Sequence, residues 1–213
     1  MRITEIFHSI QGESTRAGWP CVFVRTTGCN LRCVWCDTAY SFHGGEEMSV
    51  EEIVAEVEWI GGGCRLVELT GGEPLLQHDI RELADELLAR GYTVLCETSG
   101  SVPVDRVPAD VVKIVDLKAP GSGEVEENDW SNLDRLDPAR DELKIVVADR
   151  DDYEWAARQI RERGLDRFTL HLSPVHGELD RRELTEWMLE DGLPARLNLQ
   201  LHKFVWDAET RGV

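Results

Sequence analysis

Residues 21–38 read CVFVRTTGCNLRCVWCDT, an apolar run that passes straight into a loop carrying Cys29, Cys33 and Cys36. The run CVFVRTT (21–27), dense in β-branched and aromatic residues, is expected as a strand. A strand followed at once by a ligand-bearing loop is the layout of an α/β protein, and the rest of the chain repeats it with other residues. Ser49 with Glu52 forms a capping-box pattern for a helix to about Ile60, with Val50, Ile53, Val54 and Val57 on one face.

Further along, RLVELT (65–70) reads as a strand, DIRELADELLAR (79–90) as a helix stopped by Gly91, and YTVLCET (92–98) as the next strand. VVKIVDLK (111–118) and ELKIVVA (142–148) are two more, separated by the acidic, turn-rich stretch 121–138, which is expected to be loop. Asp151 and Glu154 mark a helix cap before Gly164, FTLHLSP (168–174) is a strand, Asp180 and Glu183 mark another cap, and ARLNLQLHKF (195–204) reads as the last strand. The alternation predicts an α/β fold with a mostly parallel sheet of about six or seven strands. With no internal repeat or long linker, residues 1–213 are expected to form one domain.

In such sheets ligands collect at the carboxyl ends of the strands. Five of those ends are polar or Gly-rich here: the cysteine loop, TGGEP (70–74), ETSG (97–100), DLK (116–118) and SPVH (173–176). Converging on one rim, they would make one site.

The formal charge of −18, from 41 acidic against 23 basic residues, has no basic counter-run and argues against nucleic-acid binding. No apolar run approaches the roughly 18 residues of a membrane span. The opening MRITEIFHSIQGES lacks the basic and apolar segments of a secretory leader, so a cytoplasmic location is expected. In a reducing compartment the six cysteines are ligands, catalytic groups or small core residues rather than disulfides. Cys21, Cys64 and Cys96 lie in or beside apolar strands and are expected in the core.

Three thiols spaced by three and then two residues admit two readings. With His43 they could complete a four-ligand zinc site in a zinc-stabilised binding module. They could instead hold three irons of a 4Fe–4S cluster, leaving the fourth iron open to a small molecule. The spacing Cys29-x3-Cys33-x2-Cys36, with the aromatic Trp35 before the last cysteine, resembles the triad of the radical S-adenosylmethionine (SAM) enzymes, and Thr70-Gly71-Gly72-Glu73-Pro74 resembles their GGEP segment. Within that superfamily, EIFHSIQGES (5–14), Gly18, VFVRTTGCNLRC, CDT (36–38), TGGEP, ETSG and LQLHKF (199–204) together resemble the 7-carboxy-7-deazaguanine synthase family along nearly the whole chain. A glycyl-radical activating enzyme would share the triad, but the SIQGE opening argues against it.

The resemblance implies a partial, open radical-SAM β/α barrel and a lyase. That lyase turns 6-carboxy-5,6,7,8-tetrahydropterin into 7-carboxy-7-deazaguanine with loss of ammonia, in queuosine and 7-deazapurine biosynthesis. It implies that Cys29, Cys33 and Cys36 hold the cluster, and that SAM bound there yields a 5′-deoxyadenosyl radical that takes hydrogen from the pterin C6 and later returns it. No further catalytic side chain is implied. Thr38 is the expected magnesium ligand. SAM is expected against Trp35, Cys36, Asp37 and Gly72, and against Asp116, Leu117, Lys118, Ser173, Pro174, Val175 and His176 at two later strand ends. The substrate is expected at Ile10, Gln11, Gly12, Arg25, Thr70, Glu97 and His202, with Arg25 suited to a carboxylate and Glu97 to the guanidine-like edge of the pterin. Glu13 and Glu73 are further candidates for the site. A homodimer and an external one-electron reductant of flavodoxin or ferredoxin type are also implied. In some relatives the terminal carboxylate enters the site, which raises the same question for Val213.

Overall fold

In the computed structural model, which describes residues 1–208 and 210–213, nine strands form one sheet that does not close on itself. The strands are β1 (Arg2–Ile10), β2 (Pro20–Thr26), β3 (Glu46–Glu47), β4 (Leu66–Gly71), β5 (Thr93–Thr98), β6 (Val112–Leu117), β7 (Glu142–Val147), β8 (Thr169–Pro174) and β9 (Arg196–Leu197). Their order is β3-β1-β2-β4-β5-β6-β7-β8-β9. From β2 onward every neighbouring pair is parallel, while β1 runs antiparallel to β2 and β3. The helices are α1 (Val50–Gly61), α2 (Ile80–Ala89), α3 (Arg150–Arg163), α4 (Arg181–Asp191) and the single turn α5 (His202–Val205).

The sheet thus exceeds the expected six or seven strands by the two antiparallel members, β1 and β3, which cover the outer edge of β2. A second difference concerns 195–204. Only Arg196–Leu197 pairs with β8, and the chain then turns into α5. Alternation in LNLQL reads as a strand, but the polar groups here bond across the barrel mouth instead of along a ladder. Asn198 Nδ2 reaches Ser173 Oγ at 2.9 Å and Leu201 N reaches Gly12 O at 2.9 Å.

The helices form where the patterns place them. Ser49 and Glu52 make the full capping box on α1, worth about 1 kcal/mol. The cap of α3 lies two residues before the expected one, because Asp149 accepts from Asp152 N at 3.0 Å. Asp180 caps α4 as its position predicts. The stretch 121–138 carries short 3-10 turns and no strand.

The two faces of the sheet bury different things. The helix-facing side packs the main core, in which Ile53, Leu69, Leu83, Leu143 and Ile160 are fully enclosed. The inner side has a small apolar floor of Phe7, Cys21, Phe23, Leu66, Leu95, Val112 and Ile114. Phe7 and Phe23 stack there at 4.9 Å between ring centroids. Above that floor, towards the carboxyl ends of the strands, the inner side becomes charged, and this transition sets the depth of the site. Cys21 and Cys96 are buried as expected, whereas Cys64 is only partly buried, with its thiol donating to Pro20 O at 3.2 Å.

Candidate active site

One cleft of about 630 Å³ opens at the carboxyl ends of the parallel strands. The cysteine loop after β2 forms one wall and brings Cys29, Cys33, Trp35, Cys36, Asp37 and Thr38 to it. Thr70 and Gly72 enter from the end of β4, Glu97 from β5, and Asp116 and Lys118 from β6. Ser173, Pro174, Val175 and His176 line it from β8 and the turn beyond. Ile10, Gln11, Gly12, Arg25 and His202 complete the opposite side. Leu117 differs from its neighbours: it is 3% exposed and its side chain belongs to the helix-facing core. Val213 also lines the cleft.

Three other loops brace the cysteine loop. Glu73 N donates to Gly28 O at 2.8 Å, Val34 N to Ser122 O at 3.0 Å, and Asn30 Nδ2 to Ser101 Oγ at 3.0 Å. Gly72 is dictated by this packing, since a Cβ there would stand 2.2 Å from Gly28 O and 3.0 Å from Cys29 Cβ. Gly72→Ala should therefore push the two loops apart and weaken SAM binding by at least about tenfold, or about 1.4 kcal/mol. Equilibrium dialysis against labelled SAM would measure it, and unchanged affinity would contradict the close packing.

Glu73 has a role the sequence leaves open. It is fully buried, and its carboxylate accepts from Leu75 N at 3.0 Å, Thr98 Oγ1 at 2.8 Å, Ser99 N at 2.7 Å and Ser99 Oγ at 2.6 Å. It ties TGGEP to ETSG and faces neither solvent nor cleft.

Asp37 joins the cysteine loop to the C-terminal segment. Its Oδ2 accepts from Lys203 Nζ at 2.9 Å and Gln200 Nε2 at 3.0 Å. Burial alone would raise this carboxyl, but the Lys203 ammonium and the two hydrogen bonds outweigh it and lower it from 3.8 to about 2. The clasp is accordingly in force above pH 3.8 and is lost as the pH falls through about 2. Lys203→Met should return the Asp37 carboxyl to at least its ordinary range, read by carbon NMR titration; a midpoint still at about 2 would show that Lys203 does not set it.

The opening connection, 11–19, joins the end of β1 to the start of β2 and ties distant strands of the open sheet together. Gln11 Nε2 bonds Glu68 of β4, and Ser14 N donates to Asn198 Oδ1 at 3.1 Å. Thr15 N donates to Glu142 Oε2 at 3.0 Å, and the same oxygen meets His171 Nε2 at 2.6 Å. Ser14 sits at φ 64°, an uncommon conformation for a side-chain-bearing residue, buried and held by that Asn198 contact. Gly12 packs so closely under His202 that a Cβ would come within 2.3 Å of Nδ1. Burial lowers the His202 imidazole below its ordinary value, so the ring is neutral at pH 7.

Arg25 is pinned by its Nε on Glu5 Oε1 at 2.7 Å, an oxygen that also accepts from Tyr40 Oη at 2.7 Å. Its guanidinium carbon lies 5.7 Å from the Phe7 ring centroid and 5.9 Å from that of Tyr40, so two aromatic side chains help hold it in place. Sequence reasoning missed two charged groups on the same inner face, Glu68 and Lys144. The available signal was a lone charge inside each of the apolar strands VELT and LKIVV, in a parallel sheet whose strands are otherwise buried on both faces.

The Radical SAM superfamily profile matches residues 23–189. A 7-carboxy-7-deazaguanine synthase from Koribacter versatilis is 50% identical over 230 aligned positions that cover all of both chains. The chain belongs to the 7-carboxy-7-deazaguanine synthase family. A second member, from Chlorobaculum tepidum, is 48% identical across all of this chain and 97% of its own. The crystal structure of QueE from Escherichia coli superposes with a TM-score of 0.77 at 27% identity, covering 94% of each chain. Likeness over the whole length sets aside the zinc-module and activating-enzyme readings. His43, the fourth ligand zinc would have needed, is exposed and lies outside the cleft that all three cysteines line.

The family works with a 4Fe–4S cluster, SAM and magnesium, and the residues present fit them. Three free, half-buried thiols stand on one loop at the cleft. Burial raises the Cys29 and Cys33 thiols, with the Lys118 ammonium acting against it. Asp116 Oδ1 is a buried oxygen without a hydrogen-bond partner among the described residues, facing a cleft that a polar ligand would fill. The Thr38 hydroxyl, 3.7 Å from Cys36 Sγ, is a hard oxygen of the kind magnesium takes.

Proposed function

We infer that this chain catalyses the ring contraction of 6-carboxy-5,6,7,8-tetrahydropterin to 7-carboxy-7-deazaguanine with release of ammonia, a step of queuosine and 7-deazapurine biosynthesis. The observation that carries the reading is the single cleft shared by the cysteine loop, the TGGEP turn and a charged inner wall holding Arg25 and Glu97. The cluster and SAM, when bound, supply one-electron hydrogen abstraction. Cys29, Cys33 and Cys36 would hold the cluster, and Trp35, Asp37, Gly72, Asp116, Lys118 and the 173–176 turn would surround SAM.

The rest of the work falls to the chain's own groups. Arg25 would fix the substrate carboxylate, and Glu97 would accept hydrogen bonds from the guanidine-like ring edge at the other end of the molecule. Holding a flat, rigid substrate at two ends presents one carbon to the cofactor and leaves little freedom for others. The neutral His202 ring, seated on Gly12, would close the cleft on the side of the C-terminal segment. Thr38 would hold magnesium where substrate oxygens can share it.

Residues 1–213 would act as one radical SAM domain, in a cytoplasmic homodimer served by a flavodoxin- or ferredoxin-type reductant. No helix among the described residues is long and apolar enough to cross a membrane. Anaerobic reconstitution with iron and sulfide, followed by SAM, magnesium, reductant and the tetrahydropterin, should give 7-carboxy-7-deazaguanine and ammonia in equal amounts. A loaded cluster that cleaves SAM and leaves the pterin untouched would overturn the reading.

A further inference from the structure

The inner face carries a buried chain of polar groups that neither the cluster nor the cofactor accounts for. Gln11 Nε2 bonds Glu68, Gln11 Oε1 accepts from Glu13 N at 2.5 Å, and Glu13 Oε2 accepts from Lys144 Nζ at 2.9 Å. The same ammonium bonds Glu97 Oε1 and comes within 4.0 Å of Asp116 Oδ2. Lys144 rises from β7 abreast of Asp116 on β6 and His171 on β8, and its side chain is only 8% exposed. A buried ammonium costs several kcal/mol in lost hydration unless its partners are fixed, so its place at the centre of this chain calls for a role.

We propose that Lys144 is a positioning residue for the pterin: clamped between Glu13 and Glu97, its ammonium holds the Glu97 carboxylate in the cleft as an acceptor for the ring N–H groups. The proposal rests on the pterin reading above and adds the group that makes Glu97 competent for it. Glu97 Oε1 is engaged by Lys144, and Oε2 has no protein hydrogen bond among the described residues.

The charges facing Glu97 explain why one cation matters. Glu68 of β4, Asp116 of β6 and Glu13 of the opening connection all approach it, and Asp116 is already paired with Lys118 at 2.9 Å. Burial is the largest influence raising the Glu97 carboxyl, Glu13 and Asp116 add to it, and Lys144 is the group acting against them. Without Lys144 the Glu97 carboxyl is pushed up further and keeps its proton to higher pH. Its O–H would then meet ring N–H donors, two donors face to face. Raising the pH should restore the acceptor.

The test is anaerobic equilibrium binding of 6-carboxytetrahydropterin to cluster-loaded protein without reductant, from pH 6 to 9. Lys144→Met should bind the pterin at least about tenfold more weakly at pH 7 and recover as the pH rises. Lys144→Arg should restore much of the affinity. Binding within about twofold of wild type, or equally weak binding at every pH, would overturn the proposal. If Lys144→Met does not fold, Glu13→Gln with Lys144→Met keeps the interior charge unchanged. Compared with Glu13→Gln alone, it should show the same loss and the same recovery with pH, and the absence of either would overturn the proposal. Failure of the wild type to bind the pterin would instead remove the functional reading on which this one stands.

Discussion

Cys36→Ala should yield a folded protein that holds no cluster and forms no 5′-deoxyadenosine. The two halves of that expectation rest on different observations. Cys36 is only half-buried in a surface loop, and among the described residues its thiol's polar contact is the long one to Thr38 Oγ1 at 3.7 Å. Removing it forfeits little packing, and a stability loss below about 1 kcal/mol is expected. The loop stays braced by the bonds from Glu73 N to Gly28 O and from Val34 N to Ser122 O. The cluster has no such reserve. Among the described residues none of the other three cysteines lines the cleft, and Cys21 and Cys96 are fully buried in the sheet. Iron and sulfide analysis beside a thermal melt reads both halves, and a loaded cluster in the variant would refute the ligand assignment.

Glu73→Ala should do the reverse and damage the fold first. Its carboxylate accepts from four donors on three residues, and the site is sealed from water. Truncation leaves those donors unsatisfied around a cavity, and a loss of at least about 3 kcal/mol is expected. Glu73→Gln should be milder yet still costly, because an amide keeps one acceptor oxygen and adds donors that face donors. A denaturant midpoint shift measures both. Near-wild-type stability of the alanine variant would mean that TGGEP and ETSG are held together by something else. Since ETSG carries Glu97, the same variant should also lose pterin affinity in whatever fraction remains folded.

These two residues show what the sequence could and could not tell. The three cysteines, TGGEP and ETSG were legible as site residues because an α/β sheet puts ligands at the carboxyl ends of its strands, and each motif follows an apolar run. Glu73 was legible as part of the site but not as its clamp, since that depends on three donors supplied by a turn more than twenty positions away. Asn198 and Thr15 were silent for a related reason: their partners Glu13 and Glu142 are separated from them by more than a hundred residues. The misreading of 195–204 as a strand has the same origin. Periodicity reports which side of a backbone is apolar, and it does not report that Asn198, Gln200 and Lys203 are drawn across the mouth to Ser173 and Asp37. Lone charges inside buried parallel strands, as at Glu68 and Lys144, were the readable trace of a polar interior.

Contact between the pterin and SAM should take place within one cleft. It is tested most directly by turning over 6-carboxytetrahydropterin labelled with deuterium at C6 and recovering the SAM pool by mass spectrometry. Deuterium is expected in the recovered SAM or its 5′-deoxyadenosine, alongside 7-carboxy-7-deazaguanine. Product formed with no label in either would contradict it.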